Sequence, residues 1–243
     1  MSNLDVTKSA LPGDGYSPAV EEYLRALYKL GRHLPDGRPV TTSQLAERLA
    51  VRPASVTAML QKLAAADPPL VEYHKSHGAW LTPAGERAAL DVVRRHRLLE
   101  LYLFQKLGYG WDEVHEEADR LEHVISHDLA DRLSVALGRP THDPHGHAIP
   151  AADLSLPSAT ARPLAAVPIG HCAAVVSVAD RDAAALRELD AAGLRPGAAV
   201  RLLARETDGT LRVRVGDAGD CALTRAAVLC VYVSEPEPGH GTA

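Results

Sequence analysis

Four side chains with metal-binding chemistry crowd one short stretch. His115, Asp119, Glu122 and His123 fall at i, i+4, i+7 and i+8 within residues 111–137. On a single α-helix those positions share a face. The same stretch carries Val114, Leu121, Val124, Ile125, Leu129 and Leu133 at spacings of three and four, so the pattern predicts one amphipathic helix. Two imidazoles and two carboxylates then lie on or beside its apolar stripe. Burying them unpaired costs several kcal/mol, and a divalent cation would offset that cost. The plainer alternative is a solvated acidic helix with two surface histidines. A second pair, His96 and Glu100, stands at i, i+4, a two-ligand spacing on a helical face that is otherwise a surface ion pair worth little.

These groups need elements to hold them. Ser17-Pro18 reads as an N-cap followed by Pro at the first helical position; that helix runs to about Gly31, with Val20, Leu24 and Leu27 on its inner side. Glu22 lies near its start. A short helix from Thr41 and another from about Pro53 to Ala65 form a helix-turn-helix pattern. Leu70–His74 and Ala79–Thr82, around the polar tip 75–78, read as a β-hairpin, completing a winged helix. Thr82-Pro83 opens a long helix to about Leu107. Gly138-Arg139-Pro140 stops the ligand-bearing helix, and 141–157 is an irregular loop whose His142, His145 and His147 could suggest metal but are read as solvated. Beyond it come a strand at 173–178, a short helix at 182–192, and strands at 199–205, 211–215, 221–224 and 228–233, which suggest a small barrel. The expected fold is mainly α with a small β part: a tail (1–16), a winged helix-turn-helix (17–82), a helical domain (83–157), a linker (158–162), a small β-barrel (163–235) and a second tail (236–243).

Composition narrows the classes. The chain has 243 residues and a net charge of -5, which argues against a generally basic nucleic-acid coat but leaves room for a local one. Residues 17–82 carry eight Lys/Arg against six Asp/Glu; residues 83–137 carry seven against eleven. That asymmetry fits a DNA-facing front and a metal-facing back. Cys172, Cys221 and Cys230 form no C-x-x-C pair. With no signal peptide and no membrane-length apolar run, a soluble, cytoplasmic protein is expected.

Within the second helix of the helix-turn-helix, Ser55 and Thr57 suit phosphate contacts, and Arg52, Pro53, Ala54 and Ala58 the base-facing side. Gln61 and Lys62 lie nearer its end, and Lys75 and His77 on the hairpin tip reach towards backbone.

The order of elements and the text Arg95-His96-Arg97-Leu98-Leu99-Glu100, followed by Glu113 to Val124 with its His115, Asp119, Glu122 and His123, resembles the DtxR/MntR family of metal-dependent transcriptional repressors. Pro140 to Gly146 looks like the family's Pro-x-x-x-Pro-x-Gly loop, and Gly193-Leu194-Arg195-Pro196-Gly197 looks like part of its SH3-like, FeoA-type module. The resemblance implies that 83–157 binds metal and dimerises and that the barrel at 163–235 is SH3-like. It also implies a homodimer on a palindromic double-stranded DNA operator, with two dimers per operator as one arrangement. It implies two cations per subunit: a primary site at Glu22, Asp119, Glu122 and His123, and an ancillary site at His96, Glu100 and His115 with Asp182, or alternatively Glu188, from the third domain.

Departures from the iron-responsive pattern carry a further expectation. Glu22 and Asp119 stand where those members use Met and Cys. Hard carboxylates in place of sulfur suit Mn²⁺, with Fe²⁺ as the other physiological candidate and further divalent transition metals binding in vitro. Arg25 stands where manganese-selective members carry a second acid, so a binuclear primary site is not expected. Competing classes are a carboxylate-bridged metalloenzyme, disfavoured by the absence of His-Glu-x-x-His or a nucleophile–base pair, and a winged-helix regulator of an organic ligand.

Overall fold

The structure, a computed structural model, describes residues 15–32, 34, 37–157, 160–180, 182–217 and 219–238. The predicted tail at 1–16 lies almost wholly outside the described residues, as do most of the predicted C-terminal tail and the start of the linker. The chain forms two compact units. The first comprises Met1–His96, Leu121–Arg132 and Pro150–Ser155; the second comprises Arg97–Arg120, Leu133–Ile149 and Leu156–Ala243. Among the described residues no helix is long and apolar enough to cross a membrane.

In the first unit, α1 (Pro18–Gly31), α2 (Thr42–Leu49) and α3 (Pro53–Ala64) precede the hairpin β1 (Val71–His74) and β2 (Gly78–Leu81). Local chemistry sets each start. Pro18 and Pro53 begin their helices where a missing N–H costs nothing. Thr41 closes a full capping box with Gln44. The turn after α2 puts Ala50 in the left-handed region at φ 52°, a role more often given to Gly. α1 packs on α2 and β2, and α3 packs on α2 and β1. Leu24, Leu45, Val56, Leu60, Leu63 and Leu70 are fully buried. Val40 bridges Ala79 antiparallel, adding a third backbone segment to the wing. A Cβ on Gly85, in the first turn of α4 (Pro83–Leu107), would meet the Leu70 carbonyl oxygen at 1.9 Å, so only glycine lets that turn seat there.

The ligand-bearing stretch differs from its expectation. The single helix predicted over 111–137 is two: α5 (Val114–Leu121) and α6 (His127–Ala136), with a turn between them. Ser126 causes the restart, its Oγ accepting from Leu129 N–H at 3.2 Å and its carbonyl from Ala130 N–H at 3.0 Å. Glu122 and His123 therefore stand in the turn and not on the helical face that carries His115 and Asp119.

In the second unit, β3 (Arg162–Pro163), β4 (His171–Val178), β5 (Ala199–Arg205), β6 (Leu211–Val215), β7 (Gly219–Leu223), β8 (Val231–Val233) and β9 (Glu237–Pro238) form an antiparallel sheet in the order β3-β8-β4-β5-β6-β7, with β9 pairing β4. α7 (Ala183–Ala191) and α8 (Arg225–Cys230) accompany it. The core gathers Trp111 with Leu186, Leu189, Leu202, Val213 and Val231. The strand expected over 228–233 begins only at Val231. Thr224 caps α8 through its Oγ1, and Glu188 holds Thr224 by both its N–H (2.7 Å) and its hydroxyl (2.6 Å). Those bonds turn a β-branched run into a helical turn.

Candidate metal centre

α1, the central part of α4 and the turn after α5 build the first cluster, all within the first unit. Glu122 is fully buried. Its Oε2 lies 2.9 Å from Arg25 Nη1 and 2.6 Å from His96 Nδ1. Its Oε1 has no hydrogen-bond partner among the described residues and lies 3.3 Å from His123 Nε2. Glu22, half-buried, brings Oε2 to 3.9 Å from the same nitrogen while accepting from Arg25 Nη2 at 2.7 Å. One donor atom each from Glu22, Glu122 and His123 lies within 4.8 Å of the others.

A second layer fixes these groups. His123 Nδ1 lies 2.7 Å from Glu21 Oε2. A carboxylate there accepts a hydrogen bond from Nδ1–H and leaves the Nε2 lone pair facing Glu122 and Glu22. Arg95 donates to Glu21 Oε1 at 2.7 Å and to the Glu122 carbonyl at 2.6 Å. Glu21, only 3% exposed, is absent from the sequence-derived set. Its acidity at a helix start reads as a dipole effect, and only the fold places it against His123.

The second cluster belongs to the second unit. Glu100, fully buried, puts Oε1 at 3.0 Å from His115 Nδ1, and Asp180 Oδ2 lies 3.3 Å from the same nitrogen. Asp119 is one turn along α5, its Oδ2 3.8 Å from His115 Nε2. The third-domain carboxylate at this cluster is Asp180. Asp182 instead caps α7, accepting from Ala184 and Ala185 N–H at 3.0 Å. Glu188 is committed to Thr224. His96, one turn before Glu100 on α4, faces Glu122 in the first unit. Beside this cluster, burial opposes charge on His147, but Asp143 at 3.2 Å and Asp180 at 3.9 Å outweigh it and hold the imidazole above its ordinary pKa.

On the winged helix, Arg52, Pro53, Ala54, Ser55, Ala58, Gln61 and Lys75 are exposed, and Thr57 and Lys62 are half-buried. Thr57 Oγ1 donates back to the Pro53 carbonyl at 3.1 Å.

Three family models match successive parts of the chain: "Iron dependent repressor, N-terminal DNA binding domain" over residues 16–79, "Iron dependent repressor, metal binding and dimerisation domain" over 82–151, and "FeoA domain" over 162–235. Over 117 residues the chain is 35% identical to the HTH-type transcriptional regulator MntR of Bacillus pumilus (strain SAFR-032), matching 48% of this chain and 77% of that protein. The chain belongs to the iron-dependent repressor family. The iron-dependent repressor IdeR of Mycobacterium leprae (strain TN) is 35% identical over 130 residues, 54% of each protein, so the chain spans about half the length of that relative. Among solved structures, a manganese-dependent transcriptional repressor in complex with manganese is 37% identical, with a TM-score of 0.81 over 89% of this chain and 99% of that one. A ScaR structure with bound Zn²⁺ is 32% identical, with a TM-score of 0.73 over 89% of this chain and 99% of that one.

Set against the repressor family, the match over 82–151 contains every candidate ligand of α4, α5 and the following turn. Glu21, Glu22 and Arg25 fall in the match over 16–79, and Asp180 in the FeoA match.

Proposed function

We propose that this protein is a metal-responsive, DNA-binding transcriptional repressor, acting as a homodimer and answering to Mn²⁺, with Fe²⁺ as the other candidate effector. The observation that carries the reading is Glu122 Oε1. It is a buried carboxylate oxygen without a hydrogen-bond partner among the described residues, 3.3 Å from an imidazole nitrogen whose other side is fixed by Glu21. An oxygen so placed is costly unless a cation meets it. The donor set of carboxylates and one imidazole suits a hard to borderline divalent ion. Glu100, His115 and Asp180 are proposed to hold a second ion.

A bound divalent cation supplies positive charge and directional bonds among these carboxylates. The protein's own groups do the rest. Glu22 sits on α1, the first helix of the winged-helix unit, and Glu122 and His123 sit in the turn after α5. Arg25 bridges Glu22 and Glu122 and partly neutralises them, so neither carboxylate is left bare. Glu21 and Arg95 hold His123 and the Glu122 backbone in register. Drawing Glu22 onto Glu122 and His123 fixes α1, and through its packing on α2 and β2 it fixes the helix-turn-helix. This couples metal occupancy to DNA binding at a separate surface.

The exposed face of α3 from Arg52 to Gln61, with Lys75 on the wing, is the proposed DNA surface, and a dimer would present two such helices to a palindromic operator. Val124 (65% exposed), Leu129 (42%) and Val135 (63%) leave apolar area in solvent that a partner subunit would cover. Thermal unfolding with and without Mn²⁺ tests the reading against a regulator of organic ligands. A metal-responsive repressor rises in melting temperature with Mn²⁺ concentration, whereas a flat response overturns the assignment.

A further inference from the structure

We infer that the loop Asp143-Pro144-His145-Gly146-His147 binds another divalent cation, of the borderline class that includes Zn²⁺ and Co²⁺, between Asp143, His145 and His147. The loop lies wholly in the second unit, and neither proposed site of the previous section uses these three side chains as ligands.

The loop is built around the Asp143 carboxylate. Its Oδ1 accepts the backbone N–H of His145 at 2.8 Å and of His147 at 2.9 Å. The Asp143 N–H donates to the His147 carbonyl at 3.0 Å, which closes the turn. That leaves Oδ2 facing inward, 3.2 Å from His147 Nδ1. One donor atom from each of Asp143, His145 and His147 lies within 4.8 Å of the other two, close enough for one ion to reach all three.

His145 carries the argument furthest. It is 0% exposed. Its Nε2 lies 2.9 Å from the Trp111 carbonyl oxygen, so Nε2 must bear the proton, because a carbonyl only accepts. The lone pair is then on Nδ1, which is buried and has no hydrogen-bond partner among the described residues. A buried acceptor left unmade is costly, and His145 Nδ1 is the one such atom in this loop among the described residues. Imidazoles that bind metal characteristically give their second N–H to a backbone carbonyl or carboxylate, which is the arrangement at Trp111.

The spacing is also rigid. The His145 carbonyl accepts from Val178 N–H at 2.8 Å. Gly146 has φ +84°, and a Cβ there would meet the Val176 carbonyl oxygen at 2.1 Å. Only glycine lets the loop press so closely on β4. His147, 24% exposed at its side chain, gives an entry path. Two imidazoles and one carboxylate favour a borderline ion, in contrast to the oxygen-rich first cluster. Arg97 Nε, 3.6 Å from Asp143 Oδ2, opposes a cation, so this site fills after the other two.

The test is titration of the full-length chain with Co²⁺, counted by metal analysis and followed by visible absorption, in wild type, His147→Ala, His115→Ala and the double variant. His147 also lies 3.9 Å from Asp180, which is why His115→Ala is needed as a reference for the neighbouring cluster. His147→Ala is expected to bind one Co²⁺ fewer per chain than wild type, and the double variant one fewer than His115→Ala, with unchanged melting of the metal-free proteins. Equal Co²⁺ uptake by His147→Ala and wild type overturns the inference, and so does equal uptake by the double variant and His115→Ala. Neither count depends on Glu22 or His123, so the result stands apart from the fate of the proposed switch.

Discussion

Glu21 Oε2 lies 2.7 Å from His123 Nδ1, and this contact decides which nitrogen of His123 is available to a metal. Replacing Glu21 by Gln keeps the shape but removes the charge that stabilises the Nδ1–H tautomer and balances Arg95. The expected outcome is a 10–100-fold loss in Mn²⁺ affinity, the usual effect of losing such an outer partner. Mn²⁺ titration by electron paramagnetic resonance checks it, and unaltered affinity in a folded Glu21→Gln protein refutes the positioning role.

Arg25 is 4% exposed and ion-paired to Glu22 at 2.7 Å and Glu122 at 2.9 Å. Removing one partner of a buried ion pair leaves the others uncompensated, at a cost of about 3–5 kcal/mol. Arg25→Ala should therefore lower the melting temperature of the metal-free protein, and Mn²⁺ should restore more stability to it than to wild type. Differential scanning calorimetry in both states gives the comparison. An equal Mn²⁺-induced shift in the two proteins would show that Arg25 does not share these carboxylates with the ion.

Ligand hardness is the proposed basis for the choice of metal. Glu22→Met replaces a proposed oxygen donor with sulfur, and the response should move from Mn²⁺ towards Fe²⁺. Operator binding titrated anaerobically with each metal measures the shift, and an unchanged order of potency places selectivity elsewhere.

The exposed start of α3 makes a separate prediction. Arg52→Ala should weaken operator binding by about 1–3 kcal/mol if it reads a base, with relaxed sequence preference; Lys75→Ala should weaken all sequences alike and lower the salt slope by about one. Anisotropy titrations over a range of salt concentrations separate the two, and full affinity in both variants moves the DNA surface away from α3 and the wing.

Thr41 holds the first turn of the helix-turn-helix through its capping box with Gln44. Thr41→Ala should cost about 0.5–2 kcal/mol of stability, visible as a lower urea midpoint with the same slope.

The winged helix was legible from sequence because its signals are local. Pro18, Thr41 and Pro53 announce helix starts, and Leu24, Leu45, Leu60 and Leu63 keep a helical period that burial confirms. The break after Leu121 was not legible. Val124, Ile125 and Leu129 continue the period across the turn, and only the Ser126 cap marks the restart. That break moves Glu122 and His123 off the face of α5, yet they still meet Glu22, because the fold brings α1 to the turn. Glu21 was missed because its partner lies 102 residues away, and no local pattern encodes such a contact. No sequence signal singles out Asp180: it precedes the same helix as Asp182, and only the cap bonds show that Asp182 is spent on α7. Val228 reads as strand because Val231 and Val233 continue a β-branched run, whereas the Thr224 cap starts a helix across it.

Metal held at Glu22, Glu122 and His123 is proposed to switch DNA binding. The most direct measurement is a gel shift on the DNA upstream of the protein's own gene, with and without Mn²⁺, for wild type and His123→Ala. Wild type is expected to bind only with Mn²⁺, and His123→Ala is expected to fail to bind at the Mn²⁺ concentration that saturates wild type. Metal-independent binding by wild type, or Mn²⁺-dependent binding of equal strength by His123→Ala, would contradict it.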